Sequence, residues 1–143
     1  MSSRATLVAT ASAAVALLLA ASSPSAAGVT AQVDNGRQRM TVFVDGAPAY
    51  VWPVSTARPG YRTPPGSYRV GRMERMWHSR KYDWSPMPYA LFFRGGYAIH
   101  GTGAVGRLGR PASHGCVRLA PWHARTLFAL VQSRGGARVV VRD

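Results

Sequence analysis

Hydrophobic and polar positions alternate with a period of two in several short stretches of the chain, each bounded by turn residues. In residues 38–44, Met40, Val42 and Val44 share one face, and Asp45-Gly46 follows as a favoured hairpin turn. Three further stretches predict short strands, at 50–54, 67–70 and 137–141. The first of these contains Pro53 and is expected at a sheet edge or a bulge, because proline lacks the N–H that a central strand donates.

The middle of the chain predicts a long loop followed by a hairpin. Residues 71–88 mix arginine, methionine and aromatic side chains without a clean period, so we expect a loop of the kind that covers binding sites. Residues 89–93 and 97–99 predict two strands joined by Gly95-Gly96. The second strand leads directly into His100.

One helix is predicted, over residues 121–134. Its apolar residues recur at helical spacing at Ala124, Leu127, Phe128 and Val131. A proline suits its first position, and Arg134-Gly135 suits its end. Short strands with a single C-terminal-side helix, and no internal repeat, indicate a mainly β single domain.

Residues 1–27 are typical of a secretory signal peptide. Arg4 precedes an uncharged apolar run over 7–21, and small residues lead to a cleavage site after Ala27. The run has about 15 residues, whereas a membrane span needs roughly 20, so cleavage is expected rather than anchoring. Contact with a membrane is then confined to export. Residues 28–143 are expected to form the mature domain, in the periplasm or the cell wall.

The charge balance is strongly basic, with 18 Lys+Arg against 5 Asp+Glu and a formal net charge of +13. Such a charge favours polyanionic partners. Nucleic acid is not expected, because the arginines are scattered along the sequence and the chain carries an export signal. Anionic polymers of a bacterial wall are the expected alternative. A non-catalytic basic module that binds the wall is therefore one hypothesis for function.

The chemistry of the chain concentrates around its single cysteine, Cys116, sixteen residues after His100. A lone cysteine cannot form an internal disulfide, and a thiol beside imidazole and glycine suits nucleophilic acyl transfer. An inert buried thiol is the plain alternative. Zinc held by His100, His114 and Cys116 would lack the fourth ligand of a structural site, so no metal and no cofactor is predicted. A papain-like hydrolase is disfavoured because there the cysteine precedes its histidine.

The run Ser-His-Gly-Cys-Val-Arg over 113–118, and its distance from His100, resemble the catalytic domain of the L,D-transpeptidases, the YkuD-like enzymes of bacterial peptidoglycan. Weaker matching blocks lie at 53–56, 59–68, 86–89, 96–102 and 108–109. The resemblance thus extends over nearly all of residues 28–143. It implies a β-sandwich-like fold that holds the cysteine in a crevice under a mobile loop.

The resemblance also implies the reaction. The Cys116 thiolate attacks the carbonyl of the third stem residue, a diamino acid, and the terminal D-Ala leaves. An amine then resolves the thioester, giving a 3→3 cross-link or attachment to a lipoprotein lysine or a D-amino acid. Peptidoglycan stem peptides are the implied donor and acceptor, and a carbapenem is expected to acylate the thiol. Relatives that use water leave a hydrolase on the same fold as an alternative; oligomeric state is not indicated.

The remaining roles carry over residue by residue. His100 is implied as the base, with its ring oriented by the Gly101 carbonyl, and no acidic residue lies near either motif in sequence. The amides of Gly115 and Cys116 are implied as the oxyanion hole. Residues implied to shape the site are Ser113 and His114, and weaker candidates for substrate contact are Arg118, Tyr97 and Trp77. For these last three, pairing or packing within the fold is the alternative.

Overall fold

The computed structural model describes residues 27–143, which form two β-sheets, one short 3₁₀ helix and one α-helix. The predicted signal peptide lies outside the described residues except for Ala27. In the described part, no helix is long and apolar enough to cross a membrane. The strands are β1 (Val29–Asp34), β2 (Arg39–Val44), β3 (Ala47–Pro53), β4 (Gly66–Arg69), β5 (Met73–Ser79), β6 (Ser85–Arg94), β7 (Tyr97–Gly101), β8 (Val117–Leu119) and β9 (Arg138–Arg142), with the 3₁₀ helix at Val105–Arg107 and helix α1 at Pro121–Arg134.

The first sheet has the strand order β3-β2-β1-β9-β4, with β1 and β9 parallel and the other pairs antiparallel. Its inner face follows the alternation of the sequence, and Met40 and Val42 are fully buried. Strand β3 lies at the edge, as Pro53 predicts, because an edge strand can lack one backbone donor. Strand β1 was not predicted, although Val29, Ala31 and Val33 alternate with half-buried residues.

The second sheet has the order β5-β6-β7-β8, with β7 and β8 parallel. One of its faces joins the first sheet and α1 in the main core, to which Leu91, Ile99 and Val117 contribute. The opposite face carries a smaller apolar cluster formed by Met87, Ala90, Phe92 and Ala98. The two-sheet, mainly β architecture with one helix is confirmed.

Helix α1 has the predicted bounds, and the four apolar residues that predicted it are its buried residues. It packs against β6 and β7 on the core face of the second sheet. Its end is set by Gly135, whose left-handed φ of 73° lets its N–H turn back to the Gln132 carbonyl oxygen.

The prediction of a long loop over 71–88 is wrong. Strand β5 and the first part of β6 occupy most of this segment and pair antiparallel, from Met73 opposite Leu91 to Ser79 opposite Ser85. The alternation is hidden because β5 is an edge strand with few buried side chains. Pro86 and Pro88 are accommodated in the part of β6 that pairs only with β5.

Candidate active site

The parallel pairing of β7 and β8 brings the two sequence motifs together. Ile99 lies opposite Val117, and His100 lies opposite Arg118. Because side chains alternate along a strand, Ile99 and Val117 enter the main core while His100 lies on the other face. Cys116 precedes β8 by one residue and packs against the small cluster on that same face. The sheet therefore presents the imidazole and the thiol on one side.

His100 is buried, with 6 % of its surface exposed, and its Nδ1 lies 2.7 Å from the Gly101 carbonyl oxygen. A carbonyl oxygen only accepts hydrogen bonds, so Nδ1 carries the ring proton and Nε2 keeps its lone pair. Burial lowers the pKa of His100 to about 4, against the opposing effect of the Gly101 hydrogen bond and with a smaller contribution from the charge of Arg118. The ring is therefore a neutral potential base at neutral pH.

The thiol of Cys116 is half-buried, and its Sγ donates a long hydrogen bond of 3.8 Å to the Gly96 carbonyl oxygen. Burial raises the pKa of the thiol, and the Ala98 N–H and the charge of Arg118 oppose this rise. The resting pair is thus a neutral thiol and a neutral imidazole. Such a nucleophile has to be deprotonated during attack, which requires a base.

Ser113 folds the segment that carries the nucleophile. Its hydroxyl donates to the Cys116 carbonyl oxygen at 2.6 Å and accepts from the Gly115 N–H at 3.0 Å, while the residue itself is fully buried. This arrangement fits the shaping role implied for Ser113. It also changes the expectation for the oxyanion hole, because the Gly115 N–H, one of the two implied donors, is already engaged.

Gly115 occupies a position that only glycine fits. Its φ of 139° is one that side chains rarely adopt, and a Cβ there would lie 2.6 Å from a ring carbon of Tyr97. The Tyr97 ring therefore packs directly over the backbone beside the thiol and also contacts the core residue Phe93. These contacts show that Tyr97 packs within the fold. Its contact with substrate stays a prediction.

Two buried side chains that sequence reasoning missed, those of Thr63 and Gln38, stabilise the segment that carries Cys116. The Thr63 hydroxyl donates to the Gly115 carbonyl oxygen at 2.8 Å and accepts from the Ala57 N–H at 3.0 Å. Gln38 accepts from the Thr56 N–H at 2.9 Å and donates to the hydroxyl of the same residue. The Thr56 carbonyl oxygen in turn accepts the N–H of Ser113 at 2.9 Å. The only signal in the sequence was that Thr63 opens a Thr-Pro-Pro-Gly turn.

His114 joins the segment to the turn between β5 and β6. Its ring stacks on Tyr82 at 4.0 Å with 7° between the planes, and Tyr61 meets it edge-on at 4.8 Å. Burial lowers the pKa of His114, and the nearby charges of Arg58, Arg118 and Lys81 lower it further. These contacts fit a shaping role, with the ring held between two aromatic neighbours.

Arg118 is a cation that affects all three titratable groups of the site. Its charge adds to burial in lowering the pKa values of His100 and His114, and it opposes the rise that burial causes in the pKa of Cys116. Its half-buried side chain donates to the Ala112 carbonyl oxygen at 3.4 Å. No acidic side chain pairs with it among the described residues. Its charge is therefore available to an anionic substrate group.

Trp77 lies on β5 beside the small apolar cluster, against which it packs as Cys116 does. Its ring meets Phe92 edge-on at 5.9 Å. Contact with substrate stays a prediction for Trp77. Within residues 27–143, no three histidine, cysteine or acidic side chains cluster as metal ligands would, so His100, His114 and Cys116 form no such group.

The buried His100 is expected to make the fold sensitive to acid. Its folded pKa of about 4 lies below the value of 6.5 for a free side chain, so the unfolded chain takes up the proton first as the pH falls. The stabilising contribution is complete above pH 6.5 and is lost as the pH falls toward 4. Between pH 7 and pH 4.5 we expect the free energy of unfolding to drop by about 2 kcal/mol.

Urea unfolding of the protein at pH 7 and pH 4.5 measures this drop. The lowered pKa values of His114 and His123 act in the same direction. The variant His100→Gln removes only the largest contribution and should show a clearly smaller drop. An equal drop in both proteins would contradict the assignment of the effect to His100.

Comparison with known proteins identifies what the chain is similar to. Residues 28–141 match the family model YkuD, described as the L,D-transpeptidase catalytic domain. A comparison with curated protein sequences found no match.

Solved structures share the fold. An L,D-transpeptidase from Mycobacterium smegmatis superposes with a TM-score of 0.74 at 26 % identity, over 82 % of this chain and 59 % of its own. One from Stackebrandtia nassauensis gives 0.73 at 31 % identity, over 81 % and 56 %. L,D-transpeptidase 3 from Mycobacterium tuberculosis, solved with a faropenem-derived adduct, gives 0.70 at 26 % identity, over 81 % and 60 %. The chain therefore spans less than two thirds of the length of these relatives.

Proposed function

Because the chain belongs to the YkuD family of L,D-transpeptidase catalytic domains, we propose that residues 28–143 catalyse acyl transfer between peptidoglycan stem peptides. The observation that supports this most is the shared sheet face of Cys116 and His100, with the His100 ring held by the Gly101 carbonyl oxygen at 2.7 Å. A nucleophile, a base and an orienting group are the parts that such a reaction needs.

Acylation begins at the neutral pair. His100 Nε2 takes the proton of the Cys116 thiol as the sulfur attacks the carbonyl carbon of the third stem residue. The tetrahedral intermediate collapses, the bond to the terminal D-Ala breaks, and Nε2 returns the proton to the departing amine. The product of this half-reaction is a thioester on Cys116.

The second half-reaction reverses these roles. An acceptor amine gives its proton to His100 Nε2 as it attacks the thioester, and the leaving sulfur takes that proton back. The Cys116 N–H is the proposed donor to the oxyanion in both halves, since the Gly115 N–H is engaged with Ser113. Gly101 contributes through its carbonyl oxygen, which holds the ring and disperses charge as the imidazolium forms.

The carboxylates of stem peptides suit the unpaired charge of Arg118, and the basic surface suits anionic wall polymers. The proposed location is the cell envelope, in the periplasm or the wall, which agrees with the predicted export signal. The relative solved with a faropenem-derived adduct supports the expectation that related β-lactams acylate Cys116.

Incubation of the purified protein with tetrapeptide muropeptides, followed by mass spectrometry of the products, tests the proposal. A cross-linked dimer with release of D-Ala is the expected result. A shortened peptide without a dimer would show a hydrolase. Binding to isolated wall without any product would favour a non-catalytic module.

A further inference from the structure

Three arginines line a surface pocket that the proposed acyl transfer does not use. The pocket has a volume of about 390 Å³ and lies beside β6 and the segment that joins β4 to β5. Its lining residues are Arg69, Gly71, Arg72, Phe92, Phe93, Arg94 and Gly95. Positive charge therefore surrounds apolar surface, an arrangement that suits an anionic group carried on a partly apolar body.

The charge of this pocket is not neutralised by the described residues. Among residues 27–143, the ion pairs employ Arg37, Arg62 and Arg134 and none of the pocket arginines. Arg69 also lies directly opposite Arg138 in the register of β4 and β9. Like charges in that position destabilise a sheet, so an anion bound there would relieve repulsion.

Two of the guanidinium groups are already oriented. The Arg72 guanidinium lies 4.2 Å from the ring centroids of both Trp77 and Phe92. A guanidinium stacked in this way keeps its edge N–H donors available to a carboxylate. Arg94 donates to the Tyr68 hydroxyl at 3.4 Å. Groups held in place lose less conformational entropy on binding, which favours affinity.

The pocket and the nucleophile are connected through residues that they have in common or that are adjacent in sequence. Gly95 lines it, and the carbonyl oxygen of the next residue, Gly96, accepts the hydrogen bond of the Cys116 thiol. Phe92, which lines the pocket, belongs to the small cluster against which Cys116 packs. Phe92 and the turn at Gly95-Gly96 therefore link the pocket to the thiol.

We propose, on the basis of the transpeptidase function above, that Arg69, Arg72 and Arg94 bind an internal carboxylate of the donor stem peptide, one that is retained when D-Ala leaves. Guanidinium groups bind carboxylates through paired, charge-assisted hydrogen bonds. The connection to the thiol favours a group of the reacting peptide over an extended wall polymer. The pocket arginines thus select the acidic form of the stem and orient it for attack.

The first test measures binding without reaction. In the Cys116→Ala background, calorimetric titration compares a tetrapeptide stem with the same stem amidated at each internal carboxylate in turn. We expect Arg94→Gln, and separately Arg69→Gln, to raise Kd about three- to tenfold for the acidic stem. For one of the amidated stems the same variants should change Kd less than twofold. The matched control Arg125→Gln, on the exposed side of α1, should leave every Kd unchanged.

The second test uses the intact nucleophile. Arg94→Gln should raise KM for the acidic stem by the same factor and change kcat less than twofold. Equal losses with acidic and amidated stems, or a loss confined to binding of poly(glycerol phosphate), would overturn the proposal. Failure of the unsubstituted protein to turn over any stem would refute the proposed function instead, and the titration would still decide the arginine site.

Discussion

Replacement of Cys116 by alanine is expected to lower the rate of acyl transfer by about 10⁴-fold or more. The thiol supplies the only bond between protein and acyl group, so its loss removes both half-reactions rather than weakening one. Steady-state release of D-Ala from a tetrapeptide stem measures the effect. Binding of the stem should survive, because the substitution removes one atom from a half-buried side chain.

A matched variant separates chemistry from packing at this position. Cys116→Ser keeps the size of the side chain but replaces the thiol with a hydroxyl, which is far harder to deprotonate, so it should be nearly as inactive as the alanine variant. Thermal unfolding of both variants should stay close to that of the original protein. Release of D-Ala by either variant at more than a hundredth of the original rate would contradict nucleophilic catalysis by Cys116.

The substitution His100→Gln is expected to slow acylation by about 10³-fold, the usual contribution of a well-placed general base. Glutamine is polar and of similar length, so the buried position stays filled. The thiol is neutral at rest because burial raises its pKa, so its proton has to be removed during attack, and the His100 imidazole is the proposed acceptor of that proton. Single-turnover acylation by a carbapenem, followed by intact-mass spectrometry, gives the rate directly.

The pH profile adds a sharper criterion for His100. Its pKa of about 4 predicts that kcat/KM falls in acid with a midpoint near that value rather than near 6.5. In His100→Gln this acid limb should disappear, and the rate should rise with pH as the thiolate forms. The control His123→Gln, on α1, should keep the original rate and profile. An acid limb that persists in His100→Gln would assign it to another group.

Local patterns allow much of the fold to be predicted from sequence. The alternation in β2, the turn at Asp45-Gly46, the edge position of Pro53 and the bounds of α1 all depend on neighbours within a few residues. Strand β5 was missed because an edge strand with both faces largely exposed leaves little period in its hydrophobic positions. Strand β1 could have been predicted, because Val29, Ala31 and Val33 alternate along it and it pairs antiparallel with the adjacent β2.

In the site, too, the features within a continuous run of residues could be predicted, and the contacts between residues far apart in sequence could not. The motif around Cys116 and the strand before His100 could be read directly, since each is a continuous run of residues. The hydroxyl of Thr63 and the amide of Gln38 act on backbone far away in sequence, so no local pattern indicates them. The hydrogen bond from the Gly115 N–H to the Ser113 hydroxyl depends on the conformation of the turn, which the residue types of the motif do not specify.

The proposed acyl transfer depends on a thioester between Cys116 and the stem peptide. Intact-mass spectrometry of the protein after brief incubation with a tetrapeptide donor, without acceptor, tests it most directly. We expect a mass increase equal to the donor minus D-Ala, mapped by peptide fragmentation to Cys116 and lost in Cys116→Ala. D-Ala release without any adduct on the protein, or an adduct that persists in the alanine variant, would contradict it.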